Sequence, residues 1–262
     1  MNDCEVAIAV AEAGATVVRR YVGTTLQRLE KGAGDFATQA DIEAEYAMLA
    51  MLQRERPADA ILGEESGRSG ARSGARLWLL DPLCGTLNYA VKMRVVAVNV
   101  ALRSGGRYPV AAVADPFNEE LFWTDGKAAC VRVDGQDTPL APHARSQLVD
   151  LNFDPPFPSA PAFTAVTLAA DAEFTARFRP RVVSTSLALT WVTTGQRAAY
   201  ITDGDVRDSV HFAAGLALCE AAGCPVTDLR GRAWGSGATG LLAAADAETH
   251  ATLLALVRKF LV

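Results

Sequence analysis

The stretch LWLLDPLCGTLNYA, residues 77–90, constrains the fold more than any other part of the chain. Leu77–Leu80 is a short apolar run, the pattern of a buried strand. It ends on Asp81-Pro82, a turn starter, and the Gly at position 85 sharpens the turn. A second apolar run follows. The strand therefore delivers Asp81, Cys84 and Thr86 together at its end.

The surrounding elements mix helices and strands. Val6, Val10, Ala13, Val17 and Tyr21 recur near helical spacing, which predicts a helix over 3–21. Residues 40–56 read as a second helix, ended by Pro57. AILG is a short strand entering the acidic turn GEES, and SGRSGARSGAR, 66–76, reads as a mobile loop. Residues 95–116 read as strand, Gly-Gly hairpin and strand, with further strands in LFWTDG and AACVRVDG. The Pro-rich segment 141–161 is the expected boundary between halves at 1–145 and 146–262. Beyond it come a helix near 186–195, a strand in AAYITDG, a helix over 210–222, a strand in PVTDLRG and a helix over 246–260. The elements do not strictly alternate, which predicts an α+β layered fold with helices between sheets rather than a doubly wound one.

Composition removes several functions. The net charge is −5 and no basic block stands out, which argues against binding nucleic acid or an anionic membrane. No apolar run approaches the roughly 18 residues of a membrane span. Asp3 and Glu5 stand where a secretory leader would be apolar or basic. The five cysteines are odd in number and lack CxxC spacing, so neither a disulfide framework nor a structural zinc site is expected. A cytoplasmic location follows as an expectation.

Acidic residues gather at element ends: Asp35 and Asp41 around Thr38, then Glu64 and Glu65, then Asp81. Singly, Asp41 reads as a helix cap, the Glu pair as a solvated turn and Asp81 as a turn starter. Together, hard carboxylates on separate loops suit Mg²⁺, which prefers oxygen ligands and binds substrate phosphate. A backbone carbonyl in the turn adds a ligand, and a Thr hydroxyl beside it can orient a water.

The order GEES, then DPLCGTLNY, then an AAG-containing helix followed by EAAG is similar to the inositol monophosphatase family. DFATQADIEAE, VAAVADPFNEELFWTDG, AYITDG and SGATGLLAAADAETH extend the likeness over most of the chain. The resemblance implies a layered αβαβα sandwich of the inositol monophosphatase/fructose-bisphosphatase type, Mg²⁺ as cofactor and a homodimer. It also implies a phosphoric monoester hydrolase that uses a metal-activated water on a small phosphorylated polyol, sugar or nucleotide. Carried over by position, Glu64, Asp81 and the Leu83 carbonyl match first-metal ligands, with Glu64 also in the catalytic set. Asp41 and Thr86 match the pair that orients the water. Gly85, Thr86, Ser184, Thr185 and Asp203 match substrate-binding positions.

Three positions depart from the pattern. Cys84 replaces an aspartate that ligates the second metal, and a thiolate suits zinc or copper(I) better than Mg²⁺. The other second-metal aspartate falls on Val210 counting back from AAG, or on Ser209 counting forward from ITDG. Asp208 is on the position in neither register. Ser184 stands where the family has Gly, at a cost if φ is positive there. His143, His211 and His250 are isolated in sequence, none placed as a base for Cys84; His211, one residue past the missing ligand, reads first as a helix-surface or packing residue, with contact to substrate or metal as the alternative. The expectation is one retained Mg²⁺ site and a weakened or missing second one, with a loss of roughly a thousandfold or more in rate. The alternatives are a pseudophosphatase that binds a phosphorylated ligand or protein partner, and a repurposed enzyme of specialised metabolism.

Overall fold

Two helices begin with reciprocal caps. The Asn2 side chain accepts from Glu5 N at 2.9 Å while the Glu5 carboxylate accepts from Asn2 N at 2.8 Å, a capping box that starts the helix Asp3–Arg20. Thr38 and Asp41 repeat the device at the helix Gln39–Glu55. The first helix buries Val6, Val10 and Val17, as their spacing requires. A Cβ on Gly14 would meet Met48 Sδ and Val98 Cγ1, each at 2.8 Å, so this helix lies hard against the second helix and a strand.

The computed structural model describes residues 1–32, 35–71, 75–153, 165–234 and 240–261. The chain divides into two units. The first comprises 1–139 with 185–187 and 208–218, and the second the remainder. In the first unit an eight-stranded sheet runs in the order Gln136–Pro139, Ala129–Val133, Glu120–Thr124, Arg107–Asp115, Ala97–Ser104, Arg76–Cys84, Ala60–Gly63, Gly67–Gly70. All neighbours are antiparallel except Ala60–Gly63 beside Arg76–Cys84. Val98, Val100 and Leu102 of the sheet pack with both helices in one core. A separate antiparallel pair, Arg28–Gly32 with Asp35–Thr38, leads into the second helix.

The second unit has a five-stranded sheet in the order Arg179–Arg181, Leu148–Leu151, Ala199–Thr202, Leu241–Ala244, Val226–Thr227. Its core joins Val149, Leu151, Ile201 and Leu242 to Phe174 and to Leu253, Leu256 and Val257 of the helix Ala247–Arg258. Among the described residues no helix is long and apolar enough to cross a membrane. All five cysteines are free.

Several sequence expectations are corrected. Part of the expected loop 66–76 is the edge strand Gly67–Gly70. Its Gly, Ser and Arg residues carry no apolar alternation, and Gly70 at φ +74° lies so near Asp59 O that a Cβ would sit at 2.5 Å. Residues 72–74 of that stretch lie outside the described residues. The helix expected near 186–195 is the single turn Leu187–Thr190, and that expected from 210 begins at Ala213. The strand in PVTDLRG shrinks to Val226–Thr227. Leu148–Leu151 is a strand inside the segment read as a boundary. Residues 154–161 of that segment, and 236–239 of the SGATG motif, lie outside the described residues.

Asp59 locks the strand that carries Asp81. Both its oxygens accept from Arg76 Nε at 3.0 Å, and one accepts from the buried Trp78 Nε1 at 2.9 Å. Asp59→Ala leaves that indole N–H without a partner and is expected to cost about 2–4 kcal/mol in urea unfolding; a loss below about 0.5 kcal/mol would contradict the assignment.

Asp246 caps the last helix, accepting from Thr249 N at 2.8 Å and Ala144 N at 3.0 Å. Burial opposes its charge, but these bonds outweigh burial and hold its pKa below the usual value. Its stabilisation is therefore full above the unfolded carboxylate pKa of about 3.9 and is lost as pH falls toward the lower folded value. Asp246→Asn is expected to be less stable at pH 7 by about 1 kcal/mol. The gap should close below about pH 4 in a pH series of thermal melts; a constant gap refutes the role of the charge.

Candidate active site

The strand Arg76–Cys84 is broken where its chemistry begins. Asp81 pairs with Asn99 and Cys84 with Ala97, so three steps on one strand oppose two on its neighbour. Pro82, which has no N–H to give the ladder, sits in this bulge. Asp81 Oδ1 accepts from Leu83 N at 3.2 Å and closes the turn. Gly85, at φ 107° and ψ 38°, then caps the short helix Thr86–Ala90.

Glu64 comes from the parallel neighbour. Its N–H donates to Leu80 O at 3.1 Å. The turn after it hangs on the buried Glu45, whose carboxylate accepts from Glu65 N at 2.8 Å and Ser66 N at 2.7 Å. A Cβ on Gly63 would lie 2.6 Å from that carboxylate, so a side chain before Glu64 would push Glu45 off the turn it holds. Glu64 Oε1 accepts from Lys31 Nζ at 3.3 Å; Oε2 is buried without a donor among the described residues, and the Glu64 and Asp81 carboxyls pair through a hydrogen bond when one is protonated. Burial, then the Asp81 charge, push the Glu64 carboxyl well above the usual carboxylate range.

Asp41 and Thr86 meet beside them. Thr86 Oγ1 lies 2.9 Å from Asp41 Oδ1 and 3.2 Å from Leu83 O. Asp41 Oδ2 accepts from Thr38 N at 2.8 Å and from Thr38 Oγ1 at 2.5 Å. Asp41 is thus both helix cap and site residue. Burial raises its pKa, against the bonds from Thr38 and Thr86.

His211 takes the less favoured of its two sequence readings: it stands among the site residues rather than in a packing role. The turn that starts at Ser209, whose carbonyl accepts from Phe212 N and Ala213 N, brings His211 Nδ1 to 2.8 Å from Asp81 Oδ2. Donor atoms of Asp81, Cys84 and His211 all lie within 4.8 Å of one another. The signal was a histidine one residue past Val210. The extra residue in this segment hid it, because spacing alone left two registers open. Val210 stays an apolar turn residue. Asp208 is held elsewhere, by Arg103 Nη1 at 2.5 Å and Tyr108 OH at 3.4 Å. His143 and His250 belong to the second unit.

The charges in this cluster are interlocked. Burial opposes ionisation of Asp81, but His211 outweighs it and holds the carboxyl below its usual range. Burial also opposes the His211 charge, and Asp81 and Cys84 outweigh it and push that pKa well up. The imidazole keeps 44% exposure, so solvent screens part of the attraction. Burial, then Asp81, push the Cys84 thiol up to about 11. A neutral thiol at pH 7 is a poor nucleophile. Cys84 Sγ accepts from Ser186 N at 3.2 Å, and its carbonyl accepts from Thr185 Oγ1 at 3.1 Å. Ser186 Oγ donates to Asn99 Oδ1 at 3.0 Å, and Asn99 Nδ2 to Asp81 Oδ2 at 3.2 Å.

Glu64, Asp81, Leu83, Cys84, Gly85, Thr86, Asp41 and Thr185 thus share the first unit with His211. Ser184 and Asp203 belong to the second. Ser184 has φ 48°, the left-handed conformation in which serine costs more than glycine.

The sequence profile of the inositol monophosphatase family matches residues 2–261. The inositol-1-monophosphatase of Caulobacter vibrioides is 42% identical over 108 residues, covering 40% of this chain and 42% of that protein. The inositol-1-monophosphatase of Synechocystis sp. is 41% identical over 115 residues, 44% of this chain and 40% of that protein. These alignments span about two fifths of the relatives' own length. The structure of inositol monophosphatase from Anabaena (Nostoc) sp. PCC 7120 superimposes with a TM-score of 0.80 at 25% identity, over 98% of this chain and 95% of that one. The α+β fold is therefore of that type. A match running from residue 2 to residue 261 is more than a local likeness, and the chain belongs to the inositol monophosphatase family.

Proposed function

We propose that the protein is a Mg²⁺-dependent phosphatase acting on a small phosphorylated polyol, sugar or nucleotide. The observation that carries this reading is the pair of buried carboxyls Glu64 and Asp81, in which Glu64 Oε2 has no donor among the described residues beyond a proton shared with Asp81. Two buried acids that repel one another are costly unless something positive joins them. A hard cation fits that need, and Glu64, Asp81 and the Leu83 carbonyl are the oxygen donors that would hold it. When bound, Mg²⁺ supplies Lewis-acid activation of water and neutralises phosphate charge.

The chain's own residues do the rest. The Thr86 hydroxyl has one proton and two acceptors, Asp41 Oδ1 and Leu83 O. While it donates to Asp41, its lone pairs are free to accept from a water and so fix the direction of attack. The proton then passes through Thr86 to Asp41, whose raised pKa suits an acceptor. Gly85 lets the backbone approach a phosphate closely.

The test is phosphate release from a panel of phosphate monoesters with Mg²⁺ titrated. Glu64→Gln and Asp81→Asn are each expected to lower kcat/KM by about a thousandfold or more. Thr86→Val should cost about 10²–10⁴-fold with Mg²⁺ binding kept. Turnover independent of Mg²⁺, or none on any monoester, sinks the reading.

A further inference from the structure

Cys84, which departs from the family pattern, belongs to a donor set with Asp81 and His211. Asp81 and Cys84 flank the bulge, and His211 arrives from a turn far along the chain. Their oxygen, sulfur and nitrogen donors lie within 4.8 Å of one another. Such a mixed set is poor for Mg²⁺, which takes oxygen, and good for a borderline ion. Three protein ligands with room for a fourth is the pattern of an open zinc site.

We propose that Asp81, Cys84 and His211 form a binding site for zinc or a similar borderline divalent ion, beside the oxygen site of Glu64, Asp81 and the Leu83 carbonyl and sharing Asp81 with it. The substitution at Cys84 then changes which metal is held rather than deleting a ligand.

The supporting shell agrees. Ser186 N–H points at Cys84 Sγ at 3.2 Å, a donor that favours the thiolate a metal needs. Asn99 ties Ser186 to Asp81, so the sulfur and the carboxylate are held by one chain of bonds. The Asp81–His211 contact of 2.8 Å holds the imidazole in place when no metal is bound. On binding, Cys84 gives up its thiol proton to solvent, and the imidazole of His211 ligates in its neutral form.

The catalytic meaning of this site rests on the phosphatase reading, but its test does not. Full-length protein is stripped with a chelator and titrated with Co²⁺ alone. The expected result is a thiolate-to-cobalt charge-transfer band with one equivalent of Co²⁺, removed by Zn²⁺ and unaffected by millimolar Mg²⁺. Cys84→Ser should abolish the band with an unchanged thermal melt. His211→Ala should weaken Co²⁺ binding by more than the roughly 10–100-fold that loss of a supporting partner costs. Glu64→Gln should keep the band while losing Mg²⁺-dependent phosphate release. A folded wild-type protein without the band, or a band that survives in Cys84→Ser and so belongs to other thiols, overturns the proposal. A band with no phosphate release on any monoester supports the site and defeats the phosphatase reading instead.

Discussion

Burying negative charge is the constraint around which this site is built. Asp41 and Asp81 are fully buried, and Glu64 keeps an oxygen out of water. Each carboxylate placed there costs several kcal/mol before compensation. Compensation comes in three forms. Asp41 has two Thr38 donors and Thr86. Asp81 has Leu83 N, Asn99 and His211. Glu64 has a weak contact from Lys31 and, among the described residues, otherwise only the carboxyl of Asp81, which relieves it through a shared proton. The deficit is thus concentrated in the Glu64–Asp81 pair, among the residues that would hold a cation.

The scaffold that brings these groups together is local and cheap. One bulge, one glycine at positive φ and one carboxylate under a turn suffice. Glu45 illustrates the economy. It never enters the chemistry, yet it sets the turn that aims Glu64, and a side chain at position 63 would displace it. The eight-stranded sheet and its two helices supply the rigidity that loops alone lack.

How much of this was legible in the sequence follows the strength of each local signal. The long amphipathic helices, ended by caps and a proline, came out within a residue or two. The strand Gly67–Gly70 was invisible, because an edge strand of Gly, Ser and Arg has no apolar face and exists through pairing with Ala60–Gly63. At the site, Glu64, Asp81, Leu83, Asp41 and Thr86 were legible because contiguous motifs carry them. His211 was not. Its position depends on how the chain turns between Gly204 and Ala213, where an inserted residue defeats counting, and spacing cannot see a contact across 130 positions.

Asp41 and Glu64 answer to different pressures. Asp41 begins a helix as well as facing Thr86, so folding alone is enough reason to keep it. Glu64 is the opposite case. Burial and the Asp81 charge beside it make an ionised Glu64 costly in the ligand-free protein, where a neutral side chain of the same shape would not be. A chain relieved of its chemistry would gain by discarding that glutamate first. Its presence marks the place where this fold gives up stability for a task.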